Sequence, residues 1–262
     1  MIPAKINFPV FESFAHGLRM TMRHARLFTI LSAVPFLSAF MTMMALRFMG
    51  GANVFWLPIV QIPSSFVMGL QCALILRFLV LQEFPLVADE AQRRARNRQV
   101  IEAGAVYAIV TYLLSGIMAG LIWLRPLIVA NPEAAAPYMP LAMTGLVLIF
   151  WGARWFWLHV PISLGWDVKG LYARLKGWPG SMRVLGLFVM CSLTVNFIVR
   201  LLRTIIAVLG GATGPQDTLG GIAAALDDAA VSAGSVLLGV LFSAATAYAV
   251  KSMIGQKTEI VV

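Results

Sequence analysis

Residues 27–48 read LFTILSAVPFLSAFMTMMALRF, an apolar run in which the one charge, Arg47, stands next to the end. An α-helix rises 1.5 Å per residue, so about twenty such residues cross about 30 Å of hydrocarbon. Five more runs of this kind follow, at about 54–81, 103–124, 138–159, 184–206 and 229–250. The chain has 262 residues, 60% of them hydrophobic and 12% charged. Soluble domains carry roughly 25% charged residues, so this composition excludes that class and leaves little chain for a separate soluble domain. The expectation is an all-α, polytopic membrane protein: a single integral membrane domain over 1–262, with six transmembrane helices and amphipathic helices at one interface.

Charge orients the bundle. Lys5, Arg19, Arg23 and Arg26 precede the first run, Arg93, Arg94, Arg96 and Arg98 lie between the second and third, and Lys169, Arg174, Lys176 and Arg183 lie between the fourth and fifth. Lys251 and Lys257 close the chain on the same side. The other side has only Arg47, Arg125, Arg200 and Arg203 at span ends, with Glu133, Asp217, Asp227 and Asp228 in or near its loops. The positive-inside bias therefore puts both termini in the cytoplasm. The net charge of +9 is explained by these flanks and by anionic headgroups, and nucleic acid is not an expected partner. Trp56 and Trp123 fall at the outer headgroup level and Trp155, Trp157, Trp166 and Trp178 at the inner one, as an aromatic belt would. The N-terminal segment is too long before its first apolar run for a cleaved signal peptide and is expected to stay in the mature protein. Cys72 and Cys191 lie inside apolar runs, where a thiol behaves as a small hydrophobe, so no disulfide is expected. Basic helix, span, outer arginine and returning span recur three times, a weak hairpin repeat that the positive-inside rule alone would largely generate.

Two basic amphipathic segments stand out. Before the first span, Phe11, Phe14, Leu18, Met22 and Ala25 recur at helical steps, opposite Glu12, His16, Arg19, Arg23 and Arg26. Before the fifth, Leu164, Val168, Leu171, Tyr172 and Leu175 form a stripe, Lys169, Arg174 and Lys176 lie away from it, and Pro179-Gly180 is expected to end the helix. Bracing in the headgroup plane explains both helices; the functional alternative is a contact with anionic lipid or an acidic partner protein through Arg19, Arg23, Arg26, Lys169, Arg174 and Lys176. Arg154, inside the inner boundary of the fourth span and flanked by Trp151 and Trp155, either snorkels to lipid phosphates or contacts a substrate. The stretch 88–98 is polar all round, with Asp89–Arg93 and Glu90–Arg94 spaced as stabilising pairs, and is expected to continue into the third span as a solvated post open to a protein partner.

Within the spans, Gln61, Ser64, Ser65 and Gln71 share a face of the second, which Pro58 and Pro63 interrupt. They are either interhelical hydrogen-bonding groups or the lining of a polar path. Small-residue stripes at Ser235, Gly239, Ser243 and Ala247, and at Gly116 and Gly120, are expected to bring helices close, the second either within the bundle or as a dimer face. Arg200 and Arg203 are expected to pair with Asp227 and Asp228, locking the fifth span to the sixth across the loop from Gly210 to Gly221. No carboxylate falls at the centre of a span, which argues against a proton- or sodium-coupled carrier. His16, His24 and His159 lack metal-ligand spacing, and neither a catalytic set nor a cofactor motif is present.

The run from Trp151 to Leu187 combines Ala153-Arg154-Trp155 near a span end, Pro161 after it, the segment ARLKGW at 173–178, and Arg183 entering the next span. In this it resembles uncharacterised bacterial six-helix inner-membrane proteins related to the membrane domain attached to some glycerophosphodiester phosphodiesterases. The resemblance implies a helical fold in the bacterial inner membrane. It implies no activity, because the hydrolase domain and its metal-binding acids are absent. The favoured expectation is a non-catalytic membrane component that binds lipid or organises a complex; the alternative is a transporter or permease with a path along the second span, and a lipid-modifying enzyme is disfavoured.

Overall fold

The computed structural model describes residues 8–49, 57–84, 90–130, 136–175, 177–210 and 221–254. Lys176, Asp89, Trp56, Lys5, Lys257, Glu133, Asp217 and the loop 211–220 lie outside the described residues. The described elements are helical: α1 Val10–Arg23, α2 Ala25–Phe48, α3 Leu57–Val60, α4 Ile62–Leu81, α5 Glu90–Ala130, α6 Met139–Gly152, α7 His159–Leu164, α8 Val168–Arg174, α9 Gly177–Leu209 and α10 Gly221–Ile254. Short 3-10 turns stand at Ala136–Tyr138 and Ala153–Trp157. Six segments are long and apolar enough to cross a membrane: Ala25–Phe48, Ile62–Leu81, Arg93–Arg125, Ala136–Leu164, Gly177–Leu209 and Gly221–Ile254. The chain is an all-α polytopic membrane protein.

The spans are not equivalent. In α10, 61% of the most apolar window is buried and in α4 50%, against 17–22% in the other four. So α4 and α10 form a central pair. α2 packs on one side of the pair, and α5, α6 with the turn after it, and α9 close the other. The outer helices turn Val34, Met41, Leu193, Phe197 and Leu141 outward, more than half exposed, as lipid-facing surfaces require in the absence of hydrophobic driving force from water. The main core lies toward the basic end, where Trp157, Val160, Leu171, Leu175, Leu187, Cys191, Leu241 and Met253 pack together. Cys72 and Cys191 are free and buried.

Helix α1 crosses α10 at its basic end through Gly17. A Cβ on Gly17 would stand 2.7 Å from the Cβ of Ala245, so only glycine allows this approach. The buried face of α1 is therefore Ser13 and Gly17, while Phe11 and Met22 of the apolar stripe remain exposed. The chain bends at His24 and continues as α2. Upstream, Phe8 is fully buried, stacked on Trp157 at 5.0 Å, with its carbonyl accepting from Arg183 Nη1 at 2.6 Å. Trp157 is thus a core residue rather than part of an aromatic belt. Gly239 of α10 lies against Met68 and Cys72 of α4, but no atom lies within 4 Å of a Cβ built on Gly116 or Gly120, so that stripe makes no close crossing within the described bundle.

The second span breaks at Gln61, in keeping with the interruption expected from Pro58 and Pro63: Pro63 fits the first turn of a helix but not its interior, and α4 starts there. Two sequence expectations need correction. The fourth span tightens to 3-10 over Ala153–Trp157. Pro161 cannot donate to the Trp157 carbonyl and its ring crowds it, which disfavours continuous α-helix at that point. Pro179-Gly180 does not end the amphipathic segment before the fifth span but sits in the first turn of α9. The stop is Gly177, at φ +74°, and α8 is only seven residues long, capped by Asp167 accepting from the N–H groups of Lys169 and Gly170. Leu171 and Leu175 then enter the main core, so this segment is not a free interfacial helix. The three returning spans differ, one split at Gln61, one broken at Ala153–Trp157 and one continuous.

Candidate functional site

A chamber of about 330 Å³ lies between α4, α5, α9 and α10, with α2 at its rim. Its position follows from the break at Gln61. The Gln61 carbonyl accepts from Ser65 N at 2.9 Å and from Ser64 Oγ at 3.0 Å, and all three residues line the chamber. Thr42 of α2, Tyr107, Thr111 and Ser115 of α5, and Ser232 and Ser235 of α10 add six hydroxyls. The hydroxyls of Thr42, Ser232 and Ser235 donate to carbonyls of their own helices at 2.8–3.1 Å, which leaves their oxygens free to accept. Toward the basic end the lining turns apolar, with Phe188 stacked on Phe156 at 5.5 Å and edge-on to Phe242 at 5.6 Å. Among the described residues, no charged side chain lines the chamber. Its volume is near the lower bound of the roughly 300–1,000 Å³ typical of small-molecule sites. Gln71 is not part of it. Two turns deeper in α4, it donates from Nε2 to Ser32 Oγ of α2 at 2.6 Å and is an interhelical tie.

At the basic end, Arg19, Arg23, Arg26 and Lys169 are exposed. Arg19 Nε reaches the Ala15 carbonyl of its own helix at 3.4 Å. Arg174 is spent differently from a lipid contact: its Nη1 donates to the Met253 carbonyl at 2.8 Å and closes the end of α10. Arg154 lies over the Trp151 ring at 4.4 Å and near the Tyr172 ring at 5.6 Å, while Trp155 is edge-on to Trp151 rather than against the guanidinium. Burial pushes the Tyr172 hydroxyl up to about 12, against the pull of Arg154. On the polar post, Arg94 pairs with Glu90 at 2.9 Å and Arg98 with Glu102 at 2.8 Å, both exposed.

Arg77, which the sequence marks only as a basic residue near the inner end of the second span, is a buried cross-link. It is 7% exposed, bonds Glu83 at 2.8 Å through both Nε and Nη2, and also donates to Gln99 and to the Ser163 carbonyl. This ties α4, α5 and α7 together. No helical spacing announces the pair, because Gln82 between them takes a left-handed conformation at φ 59° and turns Glu83 back.

The opposite end holds two buried acids. Asp227 accepts from Arg203 Nε at 2.6 Å and Nη2 at 3.1 Å, joining α9 to α10. Asp228 does not go to Arg200. It accepts from Arg47 Nε and Nη2, each at 2.8 Å, and Arg47 also donates to the Ala224 carbonyl at 3.2 Å, joining α2 to α10. Arg200 is exposed.

Near the junction of α1 and α2, His16 and His24 are both held below the usual 6.5. Burial is the larger cause for each, followed by Arg19 and Lys251 for His16 and by Arg23 for His24. No group of three or more His, Cys, Asp or Glu able to hold a metal occurs among the described residues.

Comparison with family models, curated proteins and solved structures finds no match. No residue role therefore reaches this chain from a relative, and nothing in these comparisons links it to the membrane domains attached to some glycerophosphodiester phosphodiesterases.

Proposed function

We propose that the protein is a non-catalytic component of the bacterial inner membrane that binds lipid, holding the uncharged polar part of an amphiphile in the chamber among α4, α5, α9 and α10. One observation carries the reading. The chamber is lined by hydroxyls and one amide without a formal charge, and its deep wall is aromatic. In low dielectric an unpaired ion is costly, whereas a hydroxyl or ester finds donors and acceptors here at small cost. A glycerol-ester region with part of an acyl chain matches both the polar rim and the apolar wall. The basic surface of Arg19, Arg23 and Arg26 complements this reading with attraction to anionic headgroups on the cytoplasmic side. The charged post of α5 offers a soluble partner a docking element.

The second reading is a permease for an uncharged polar solute. The observation that favours it is the aromatic wall of Phe156, Phe188 and Phe242, which would act as the closed side of a gate. Reconstitution separates the two. Lipid binding without flux of small polyols across vesicles supports the first reading, and flux blocked by Ser65→Leu supports the second.

A further inference from the structure

A second cavity, of about 250 Å³, lies at the basic end between α1, α4 and α10 and is separate from the chamber. His16 of α1 and His24, at the bend between α1 and α2, line it together with Lys251 and Tyr248 of α10 and Gln82 at the end of α4. Its apolar wall includes Met20 and Phe78. Both imidazoles are positioned by rings: His16 lies 4.4 Å from Tyr248, and His24 meets Phe78 edge-on at 5.1 Å. Among the described residues, no carboxylate lines the cavity. Glu12 stands beside it, 3.5 Å from the Tyr248 hydroxyl, and is exposed. Glu83, next to Gln82, is occupied by Arg77.

We propose that this cavity is a phosphate site. Lys251 supplies the standing positive charge, the imidazoles of His16 and His24 donate N–H groups, and the phosphate carries an ester whose apolar part lies along Met20 and Phe78. Three nitrogen bases facing one cavity with no acid in its lining form an anion-selective arrangement, and charge-assisted hydrogen bonds to phosphate oxygens are about twice as strong as neutral ones. Burial, with Arg19 and Lys251 beside His16 and Arg23 beside His24, disfavours the protonated histidines, and burial lowers Lys251 as well. A bound phosphate reverses that balance, so binding takes up protons and tightens as pH falls. The charged and titratable groups around the histidines are Glu12, Arg19 and Arg23 on α1 and Tyr248 and Lys251 on α10, while the α4 wall of Phe78, Leu79 and Gln82 is uncharged.

The test uses the full-length protein in neutral detergent and two probes: inorganic phosphate and a short-chain phosphatidic acid, titrated by calorimetry at pH 5.5 and 8. A lipid phosphate site predicts binding of phosphatidic acid at least about tenfold tighter at pH 5.5, with Lys251→Gln weakening it by about tenfold or more; H16Q/H24Q should abolish this tightening and leave the opposite trend of the phosphate's own second ionisation, at about pH 6. Binding of inorganic phosphate with equal affinity places the source of the ligand in solution, upholding the phosphate site and overturning the ester contact along Met20 and Phe78. Proton NMR of the wild-type histidines needs no variant: their titration should move upward on saturation with the probe. No binding of either probe, or binding with histidine titrations unmoved, overturns the proposal. Loss of chamber lipid leaves these readouts unchanged, so the two readings fail separately.

Discussion

Removing an arginine from the acid clamp should cost more stability than removing the aspartate it holds. Side-chain exposure is 51% for Arg203 and 11% for Asp227, and 43% for Arg47 and 5% for Asp228. After Arg→Gln a carboxylate remains where water hardly reaches; breaking a buried pair from one side costs about 3–5 kcal/mol, and the half-exposed arginines place these sites at the low end, about 2–3 kcal/mol. After Asp→Asn the guanidinium turns to water or lipid phosphate, and the loss is closer to the worth of one charged hydrogen bond, about 1.5 kcal/mol. Arg47→Gln should exceed Arg203→Gln, because Asp228 is the drier acid and Arg47 also holds the Ala224 carbonyl. The assay is reversible unfolding in mixed micelles followed by helical circular dichroism. The Arg203→Gln and Asp227→Asn cycle should give coupling of about 1 kcal/mol, at the top of the range for exposed pairs. Equal losses from either side, or coupling below about 0.3 kcal/mol, would show that the pairs are solvated and the clamp contributes nothing.

Gly17→Leu should detach α1 from α10, because even a Cβ meets Ala245 at 2.7 Å; a loss of about 1–3 kcal/mol and new protease cleavage within Val10–Arg23 are expected, and an unshifted melting temperature would contradict the crossing. Glu83→Gln should destabilise strongly, by about 3 kcal/mol, because it leaves the buried Arg77 guanidinium without its carboxylate; the double substitution with Arg77→Gln should recover part of the loss in the same unfolding assay. Stability without ligand should decline as pH falls below about 6.5, since the unfolded chain takes up protons that folded His16 and His24 refuse; the loss levels off below their folded values, and a flat melting profile between pH 7 and 5 would exclude this linkage.

The membrane class was legible because hydrocarbon thickness imposes a length that no soluble helix pattern imitates. Residues 27–48 and 229–250 announce their spans, and α5 continues through the polar post as the spacing of Glu90 and Arg94 suggests. Breaks inside spans were less legible. Pro58 and Pro63 mark one, yet the 3-10 turn at Ala153–Trp157 depends on how three aromatic residues and Pro161 share the crowded basic end. Pro179-Gly180 is ambiguous by nature, since proline both follows one helix and starts another, and Gly177 decides which. For the candidate site, Gln61, Ser64 and Ser65 were found through polarity and proline, whereas Gln71 shares their face but lies about 10 Å deeper, where Ser32 meets it. Depth along a face is set by neighbouring helices, which no local pattern reports. The same holds for Asp228, whose partner Arg47 is 181 positions away.

Native mass spectrometry of the purified protein tests the central claim most directly, comparing wild type with Ser65→Leu, which fills the chamber beside Gln61. The account predicts a retained lipid on the wild type at one per chain and its loss from Ser65→Leu, with the two proteins melting at similar temperatures. A wild type that carries no lipid, or an adduct equally present on Ser65→Leu, would contradict the chamber as the binding site.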